Sequence, residues 1–174
     1  MSDKALFLDR DGVINVDRGY VYRKENFEFI DGIFDLVSAA KKTGYLIVIV
    51  TNQSGIGRGY YTSQNFHDLM KWMKEQFAVH NSIIDAVYFC PYHPDGSKKY
   101  SCYKKFRKPE PGMILQAALE HNINLKGSIL VGDSLSDIQA GTAAGVGKIF
   151  YYGSGDNIVP AHVVSHLTEV IPYL

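Results

Sequence analysis

The chain has only two cysteines, no excess of charge of either sign and no apolar run long enough to cross a membrane. The cysteine count argues against a disulfide scaffold. Basic and acidic residues total 18 each, so no net field attracts nucleic acid or an acidic membrane surface. Only about five apolar residues precede Asp9, too few for the apolar part of a signal peptide. These absences predict a cytoplasmic protein with no nucleic-acid or membrane partner.

The length of the chain indicates a single domain, because 174 residues without an internal repeat or low-complexity stretch are ordinary for one core. A hydrophobic content of 46% and a charged content of 21% are also ordinary for a globular protein. We therefore expect residues 1–174 to form one domain, and we expect a monomer.

Short apolar runs alternate along the chain with segments of helical periodicity. Strands are predicted over residues 5–8, 45–50, 83–90, 128–131 and 148–151, and residues 163–174 are expected to add a last strand and a helical tail. Helices are predicted over residues 32–44, 62–77, 112–121 and 134–145, with a long loop over 91–111. Runs that are apolar throughout are typical of strands covered on both faces. The pattern predicts an α/β fold with a doubly wound, mostly parallel sheet and helices on both faces.

Three polar clusters directly follow predicted strands. They are Asp9-Arg10-Asp11-Gly12, Thr51-Asn52-Gln53-Ser54-Gly55 and Gly132-Asp133-Ser134-Leu135-Ser136-Asp137. An Asp-x-Asp-Gly sequence alone is equally typical of a solvent-exposed turn, since Asp and Gly favour turns. In open α/β sheets, however, ligands bind beyond the carboxyl ends of the strands. We therefore expect the three clusters to converge on one site.

The acids in these clusters suit the hydrolysis of a phosphate monoester. Asp9 is a candidate nucleophile because a carboxylate is ionised at neutral pH, and Asp11 is a candidate acid and base for the leaving group and for water. A carboxylate that approaches a phosphate dianion is repelled, and Mg²⁺ relieves this repulsion. Mg²⁺ prefers oxygen ligands, so Asp133 is expected to supply the second carboxylate.

Other polar side chains complete the predicted site. The Thr51 hydroxyl and the backbone N–H groups from Asn52 onward are candidate donors to phosphoryl oxygens, and Lys108 offers a positive charge. Lys108 taken alone would be interpreted as a solvated loop lysine. Asp137 follows Asp133 by one helical turn and is expected to orient a metal-bound water or a neighbouring side chain.

The motifs Asp9-x-Asp11-Gly12, Thr51-Asn52, Lys108-Pro109 and Gly132-Asp133-x-x-x-Asp137 resemble, in order and spacing, the four motifs of the haloacid dehalogenase superfamily of phosphohydrolases. Within it, the segments LDRDGVINVDRGYV, NFEFIDG, TNQSGIGRG, CPYHPDG, RKPEPGM and VGDSLSDIQAG resemble the D-glycero-D-manno-heptose-1,7-bisphosphate 7-phosphatase family, whose relatives include histidinol phosphatases. The resemblance spans about residues 5–150. It implies a Rossmann-like phosphatase domain.

The resemblance also implies a role for each matched residue. Asp9 matches the nucleophile and a metal ligand, and Asp11 the acid/base residue that also binds Mg²⁺ through its backbone carbonyl. Asp133 matches the third metal ligand and Lys108 the phosphate-binding lysine. The remaining matches are Thr51 and Asn52 to the phosphate loop and Arg107 to a substrate-contacting arginine. The implied reaction is removal of the C7 phosphate of the heptose bisphosphate, a step towards nucleotide-activated heptose and the lipopolysaccharide core.

One departure concerns zinc, which members of the family often hold through a Cys-x-His pair and a later Cys-x-Cys. Here tyrosine occupies the histidine position in Cys90-Pro91-Tyr92-His93, and the second pair keeps only Cys102. Cys90, His93 and Cys102 would make an irregular three-ligand set, whereas structural zinc sites nearly always use four ligands. We expect zinc to be absent.

Three alternatives use the same residues differently. A histidinol phosphatase would have the same fold and chemistry with a cationic substrate, but Arg58 favours an anionic second group on the substrate. A polynucleotide-end phosphatase is disfavoured by the zero net charge. A non-catalytic sugar-phosphate-binding protein would need no nucleophile at Asp9.

The intervals in which the superfamily inserts cap domains are short in this chain. Residues 12–32 number about twenty, and residues 61–107 are taken up by a predicted helix, a strand and one loop, so neither interval has room for a domain of ordinary size. We therefore expect an uncapped, open site with three walls, formed by residues 15–23, 55–60 and 91–107. The walls carry Arg18, Arg23, Arg58 and Arg107 among tyrosines, which suits a small sugar phosphate with a second phosphate group.

Overall fold

The computed structural model describes residues 3–155 and 158–174. The strands are β1 Lys4–Leu8, β2 Tyr45–Asn52, β3 Ala86–Cys90, β4 Ile129–Gly132, β5 Lys148–Tyr152 and β6 His162–Val164. The helices are α1 Ile33–Lys42, α2 Ser54–Gly57, α3 Ser63–Val79, α4 Gly112–Glu120 and α5 Leu135–Ala144. Short 3₁₀ helices cover Lys24–Asn26, Lys98–Phe106, Leu125–Gly127 and Leu167–Tyr173.

The six strands form one sheet in the order β3-β2-β1-β4-β5-β6, and every neighbouring pair is parallel. The order reverses direction at β1, which lies between β2 and β4. This is the switch point at which ligands bind in open α/β sheets. The carboxyl ends of β1, β2 and β4, and with them the three polar clusters, therefore meet at one edge of the sheet.

Side chains alternate between the two faces of the sheet, and each face has its own core. Leu6 and Leu8 of β1 pack on the face covered by α1, α3 and the C-terminal 3₁₀ helix. Ala5 and Phe7 pack on the opposite face, covered by α4 and α5. The doubly wound α/β fold predicted from the apolar runs is confirmed.

Two local predictions were wrong. β3 begins at Ala86 rather than at residue 83, because the Asp85 carboxylate turns back to accept hydrogen bonds from Ile47 N at 2.7 Å and Lys41 Nζ at 2.8 Å. The predicted loop over 91–111 contains the 3₁₀ helix Lys98–Phe106, which begins where the Ser97 hydroxyl accepts from the backbone N–H of Lys99.

Few elements occupy the intervals available for a cap. In residues 12–32 the one helix is the 3₁₀ helix Lys24–Asn26, and residues 61–107 hold α3, β3 and the 3₁₀ helix Lys98–Phe106. In residues 3–155 and 158–174, no helix is both long enough and apolar enough to span a membrane.

Candidate active site

A pocket of about 420 Å³ opens at the carboxyl edge of the sheet, where β1, β2 and β4 end. Five of the predicted site residues line it: Asp9, Asp11, Asn52, Lys108 and Asp133. A larger groove of about 840 Å³ lies on the other side of Tyr61 and contains none of these residues. The predicted site residues therefore gather at the smaller pocket.

Lys108 lies at the centre of the site, although it comes from the segment before α4. Its side chain is 3% exposed, and its Nζ lies 2.9 Å from Asp9 Oδ1 and 2.6 Å from Asp137 Oδ1. Nζ also donates to the Val50 carbonyl at 2.9 Å. Asn52 fixes the backbone of the lysine, because its amide accepts from Lys108 N and donates to Lys108 O. The interpretation of Lys108 as a solvated loop lysine is excluded by this burial.

Asp137 holds the lysine and the loop after β4 rather than facing the pocket. Oδ1 accepts from Lys108, while Oδ2 accepts from the backbone N–H groups of Asp133 and Ser134 and from the Ser134 hydroxyl. Ser134 in turn caps α5 in a capping box with Asp137. Of the two predictions for this residue, the orientation of a neighbouring side chain is the one this geometry matches.

Gly12 allows the first and last clusters to touch. Its φ of +88° lies in the left-handed region that favours glycine, and a Cβ at this position would overlap the Asp133 carboxylate. Any side chain at residue 12 would therefore push Asp133 away from Asp9.

The site is rich in negative charge. Oxygens of Asp9, Asp133 and Asp137 lie within 4.8 Å of one another, and Lys108 is the cation that contacts this group. Burial and the Asp137 carboxylate raise the pKa of Asp9 well above its usual value and that of Asp133 to about 6. Burial alone would lower the pKa of Lys108, but the carboxylates of Asp137 and Asp9 outweigh it and raise that pKa. Three carboxylates and one ammonium group leave an excess of about two negative charges, which matches a divalent cation.

The predicted magnesium ligands fit this picture. Asp9 and Asp133 both line the pocket and offer hard oxygen donors, and Asp11, two residues after Asp9, lines the same pocket. Asp137 is already engaged by Lys108 and the Ser134 loop. We therefore keep Asp9, Asp133 and the Asp11 carbonyl as the predicted set.

The Asp11 carboxylate points towards a second network on the other side of the pocket. Oδ1 accepts from Arg10 Nη2 at 2.7 Å and from Asn15 Nδ2 at 3.1 Å, and Oδ2 accepts from Gln53 Nε2 at 3.1 Å. Arg10 is 1% exposed and lies near the rings of Phe27 and Phe66. Three side-chain donors thus hold the Asp11 carboxylate. This network is distinct from the ion pair between Asp9 and Lys108.

Three predicted substrate residues do not line the pocket in this structure. Thr51 is buried beneath it, and its hydroxyl accepts from Gln53 Nε2 at 2.8 Å. Arg58 is exposed at the rim and donates to the Tyr20 hydroxyl at 2.9 Å, and Tyr20 itself lines the pocket. Arg107 donates to the Tyr92 carbonyl at 3.1 Å.

The three candidate zinc ligands are not gathered into one group. Cys90 is buried and its thiol donates to the Tyr103 carbonyl, whereas Cys102 is exposed. His93 Nδ1 accepts from the backbone N–H of Asp95 at 3.1 Å. The absence of zinc stays a prediction.

Sequence reasoning gave no role to Arg10, Gln53 and Tyr61, which surround Asp11. Arg10 and Gln53 lie inside the polar clusters that follow β1 and β2. In a sequence, however, an arginine or a glutamine next to a predicted catalytic residue looks like an ordinary polar residue. Tyr61 lies outside the motif, and nothing in the sequence indicates that its hydroxyl reaches Gln53 Oε1.

Stability of the metal-free protein should depend on the charge of Asp133. Between pH 4 and 6 the folded state binds more protons at this group than the unfolded state, so the free energy of unfolding should fall as the pH rises through this window. We expect the decrease in the free energy of unfolding to be about 2 kcal/mol smaller in Asp133→Asn than in the wild type. This value is already reduced for solvent screening. Urea unfolding at pH 4 and pH 7.5 measures it.

The matched control for this measurement is Asp35→Asn, which changes an exposed acid of α1. It should leave the pH dependence of the wild type unchanged. An Asp133→Asn protein whose stability varies with pH as the wild type does would contradict the assignment of Asp133 to the acidic group. Added Mg²⁺ should stabilise the wild type more than Asp133→Asn at pH 7.5.

Comparisons with known proteins give consistent likenesses. D-glycero-alpha-D-manno-heptose-1,7-bisphosphate 7-phosphatase of Burkholderia mallei is 51% identical over 179 aligned residues, which cover 100% of this chain and 95% of that protein. D-glycero-beta-D-manno-heptose-1,7-bisphosphate 7-phosphatase of Escherichia coli K12 is 46% identical over 157 residues, which cover 90% and 82%. The HAD-hydrolase-like family model matches residues 105–170.

Among solved structures, the D,D-heptose 1,7-bisphosphate phosphatase of B. bronchiseptica, complexed with magnesium and phosphate, superposes with a TM-score of 0.84. It is 28% identical, and the alignment covers 98% of this chain and 97% of that one. The corresponding Burkholderia thailandensis structure has a TM-score of 0.70 at 28% identity, with the same coverage of both chains.

Proposed function

The chain belongs to the D-glycero-D-manno-heptose-1,7-bisphosphate 7-phosphatase family of the haloacid dehalogenase-like hydrolases, and we propose that it removes the C7 phosphate of this heptose bisphosphate. The proposed reaction passes through an aspartyl-phosphate on Asp9 and uses Mg²⁺ as cofactor. The reaction would serve nucleotide-activated heptose and lipopolysaccharide core biosynthesis. The observation that carries the proposal is the buried group of Asp9, Lys108 and Asp133 at the switch point of the sheet. A protein that only bound sugar phosphates would have no use for a nucleophile held against a buried lysine.

The first step is attack by the Asp9 carboxylate on phosphorus. One oxygen of Asp9 already accepts from Lys108 and from Arg10 N, which fixes the direction of the carboxylate. The phosphorus–oxygen bond to the sugar breaks, and Asp11 donates a proton to the departing alkoxide. Bound to Asp9, Asp133 and the Asp11 carbonyl, Mg²⁺ would offset the charge repulsion between the carboxylate and the phosphate.

The second step returns the enzyme to its starting state. Asp11, now a carboxylate, takes a proton from water, and the water oxygen bonds to phosphorus. The bond from phosphorus to Asp9 breaks and releases inorganic phosphate. The three protons of Lys108 are taken by Asp9, Asp137 and the Val50 carbonyl in this structure, so its ammonium group would stabilise the phosphoryl oxygens in both steps through its positive charge.

The second phosphate of the substrate is expected to bind near the rim, where Arg58 contacts Tyr20. Arg58→Ala or Arg107→Ala should lower kcat/KM for the heptose bisphosphate by about tenfold or more, the loss expected for one charge-assisted contact. Hydrolysis of a small monophosphate should change much less. Steady-state kinetics with both substrates measures the difference.

Arg18→Ala is the matched control for the arginine variants. The sequence also placed Arg18 in a wall of the site, but its guanidinium pairs with Glu28 and lines a different depression. We expect no selective loss on the bisphosphate from this change. Equal losses on both substrates in the Arg58 and Arg107 variants would mean that these residues serve the reacting phosphate or the fold.

A substrate panel tests the proposed function directly. It contains both C1 anomers of the heptose 1,7-bisphosphate, histidinol phosphate and an aryl phosphate, each with Mg²⁺ and with a chelator. We expect the highest kcat/KM on a heptose bisphosphate, loss of the C7 phosphate only, and no turnover with the chelator. Faster hydrolysis of histidinol phosphate would overturn the substrate assignment. A single domain over residues 1–174, a monomeric state and a cytoplasmic location stay predictions.

A further inference from the structure

Gln53 follows β2 at the edge of the pocket and is 2% exposed, an unusual degree of burial for a glutamine. Its backbone N–H donates to the Cys90 carbonyl at 2.8 Å, which ties the residue to the end of β3. Its side chain is therefore held beneath the pocket rather than in solvent.

The amide of Gln53 connects two predicted functional residues. Nε2 donates to Asp11 Oδ2 at 3.1 Å and to Thr51 Oγ1 at 2.8 Å, so both of its protons are used. The amide directs its nitrogen, and not its oxygen, towards Asp11, because Oε1 is already taken by the Tyr61 hydroxyl.

Tyr61 holds the other end of the amide. Its hydroxyl donates to Gln53 Oε1, and its ring stacks on Tyr22 with a centroid distance of 5.1 Å and an interplanar angle of 6°. Gly55 lies against the same ring, where a Cβ would overlap it. Burial raises the pKa of Tyr61, so the phenol stays a neutral donor at physiological pH.

Gln53 contacts a different oxygen of Asp11 from the other donors. Arg10 and Asn15 both bind Oδ1, whereas Gln53 is the donor to Oδ2 within residues 3–155 and 158–174. Rotation of the carboxylate about its side-chain bond is thus limited from both sides. The amide fixes the direction of the oxygen that the other two donors do not engage.

We propose that Gln53, with its amide oriented by Tyr61, is a positioning residue that holds Asp11 and Thr51 in register for phosphoryl transfer. The proposal rests on the proposed function, in which Asp11 protonates the leaving group. Gln53 touches neither the substrate nor the reacting atoms in this role. It sets the distance between the acid and the phosphate-binding end of β2.

The dependence of kcat/KM on the leaving group of the substrate distinguishes a positioning role of Gln53 from a purely structural role. A good aryl leaving group departs without a proton, whereas an alkyl leaving group needs the acid. Gln53→Leu should lower kcat/KM by about tenfold or more for an alkyl phosphate and by less than about threefold for p-nitrophenyl phosphate. Tyr61→Phe, which removes one hydroxyl, should show the same pattern at a smaller size. Equal losses on both substrates, as a purely structural role would give, would overturn the proposal.

Tyr88→Phe is the matched control, since it removes a tyrosine hydroxyl that donates to Glu120 away from the pocket and should leave both values unchanged. A crystal structure of Gln53→Leu provides a readout that needs no activity. We expect the Asp11 carboxylate to rotate away from its wild-type position, and an unmoved Asp11 would overturn the proposal.

If the wild type hydrolyses aryl and alkyl phosphates but not the heptose bisphosphate, the substrate assignment fails while the comparison between aryl and alkyl phosphates still tests the role of Gln53.

Discussion

Asp9→Asn is expected to reduce phosphate release by at least about 10⁴-fold while the protein stays folded. The amide cannot form the acyl-phosphate bond that the proposed reaction requires. The fold should tolerate the change, because burial and the Asp137 carboxylate already disfavour the charge on Asp9. Release of inorganic phosphate from an aryl phosphate, together with thermal unfolding of the same preparation, measures both expectations.

Phosphate binding offers a further test of the same variant. Asp9→Asn keeps Lys108 and Asp133, so it should still bind inorganic phosphate in the presence of Mg²⁺. The exposed variant Asp35→Asn should hydrolyse the aryl phosphate at the wild-type rate. Wild-type turnover by Asp9→Asn would rule out covalent catalysis at this residue.

Lys108→Met should have the largest effect on stability. Removing the ammonium group leaves Asp9 and Asp137 buried without their partner, and breaking a buried pair in this way typically costs about 3–5 kcal/mol. Activity should also fall by at least about 10³-fold, because the transition state loses its fixed cation. Urea unfolding and aryl phosphate hydrolysis measure the two effects.

A second substitution distinguishes charge from packing. In Lys108→Met combined with Asp9→Asn, one of the unpaired carboxylates is gone, so part of the lost stability should return. Lys105→Met changes a neighbouring exposed lysine whose ammonium lies over the Phe106 ring, and it should have little effect. A double variant no more stable than Lys108→Met would show that the lysine stabilises the fold through packing alone.

The sequence predicted the sheet and the convergence of the site because both follow from local patterns. A strand buried on both faces leaves a continuous apolar run, as in Leu46–Val50, and the polar residues that follow each run must lie where the run ends. Asp9 and Asp133 could therefore be placed in one site before their distances were known, whereas Lys108 follows no strand and was placed there through the motif in which it lies. The resemblance to a family added their roles, which the geometry alone does not test.

Contacts between side chains distant in the sequence were not predictable. The start of β3 depends on Asp85 reaching Ile47 and Lys41, and no pattern within residues 83–90 records those contacts. Arg58 likewise carries a charge visible in the sequence, but its contact with Tyr20 depends on how two loops meet. The direction of a long side chain at a rim is set by its neighbours in space.

The place of β1 in the sheet has a consequence for the order of events during synthesis. Leu6 of β1 pairs with Ile129 of β4, so β1 leaves the ribosome more than a hundred residues before the strand that covers its second flank. Asp9 gains its like-charged neighbours Asp133 and Asp137 only at that late stage. The nascent chain can thus assemble β1, β2 and β3 free of this repulsion, and the predicted cation site is complete only when β4 and α5 have docked.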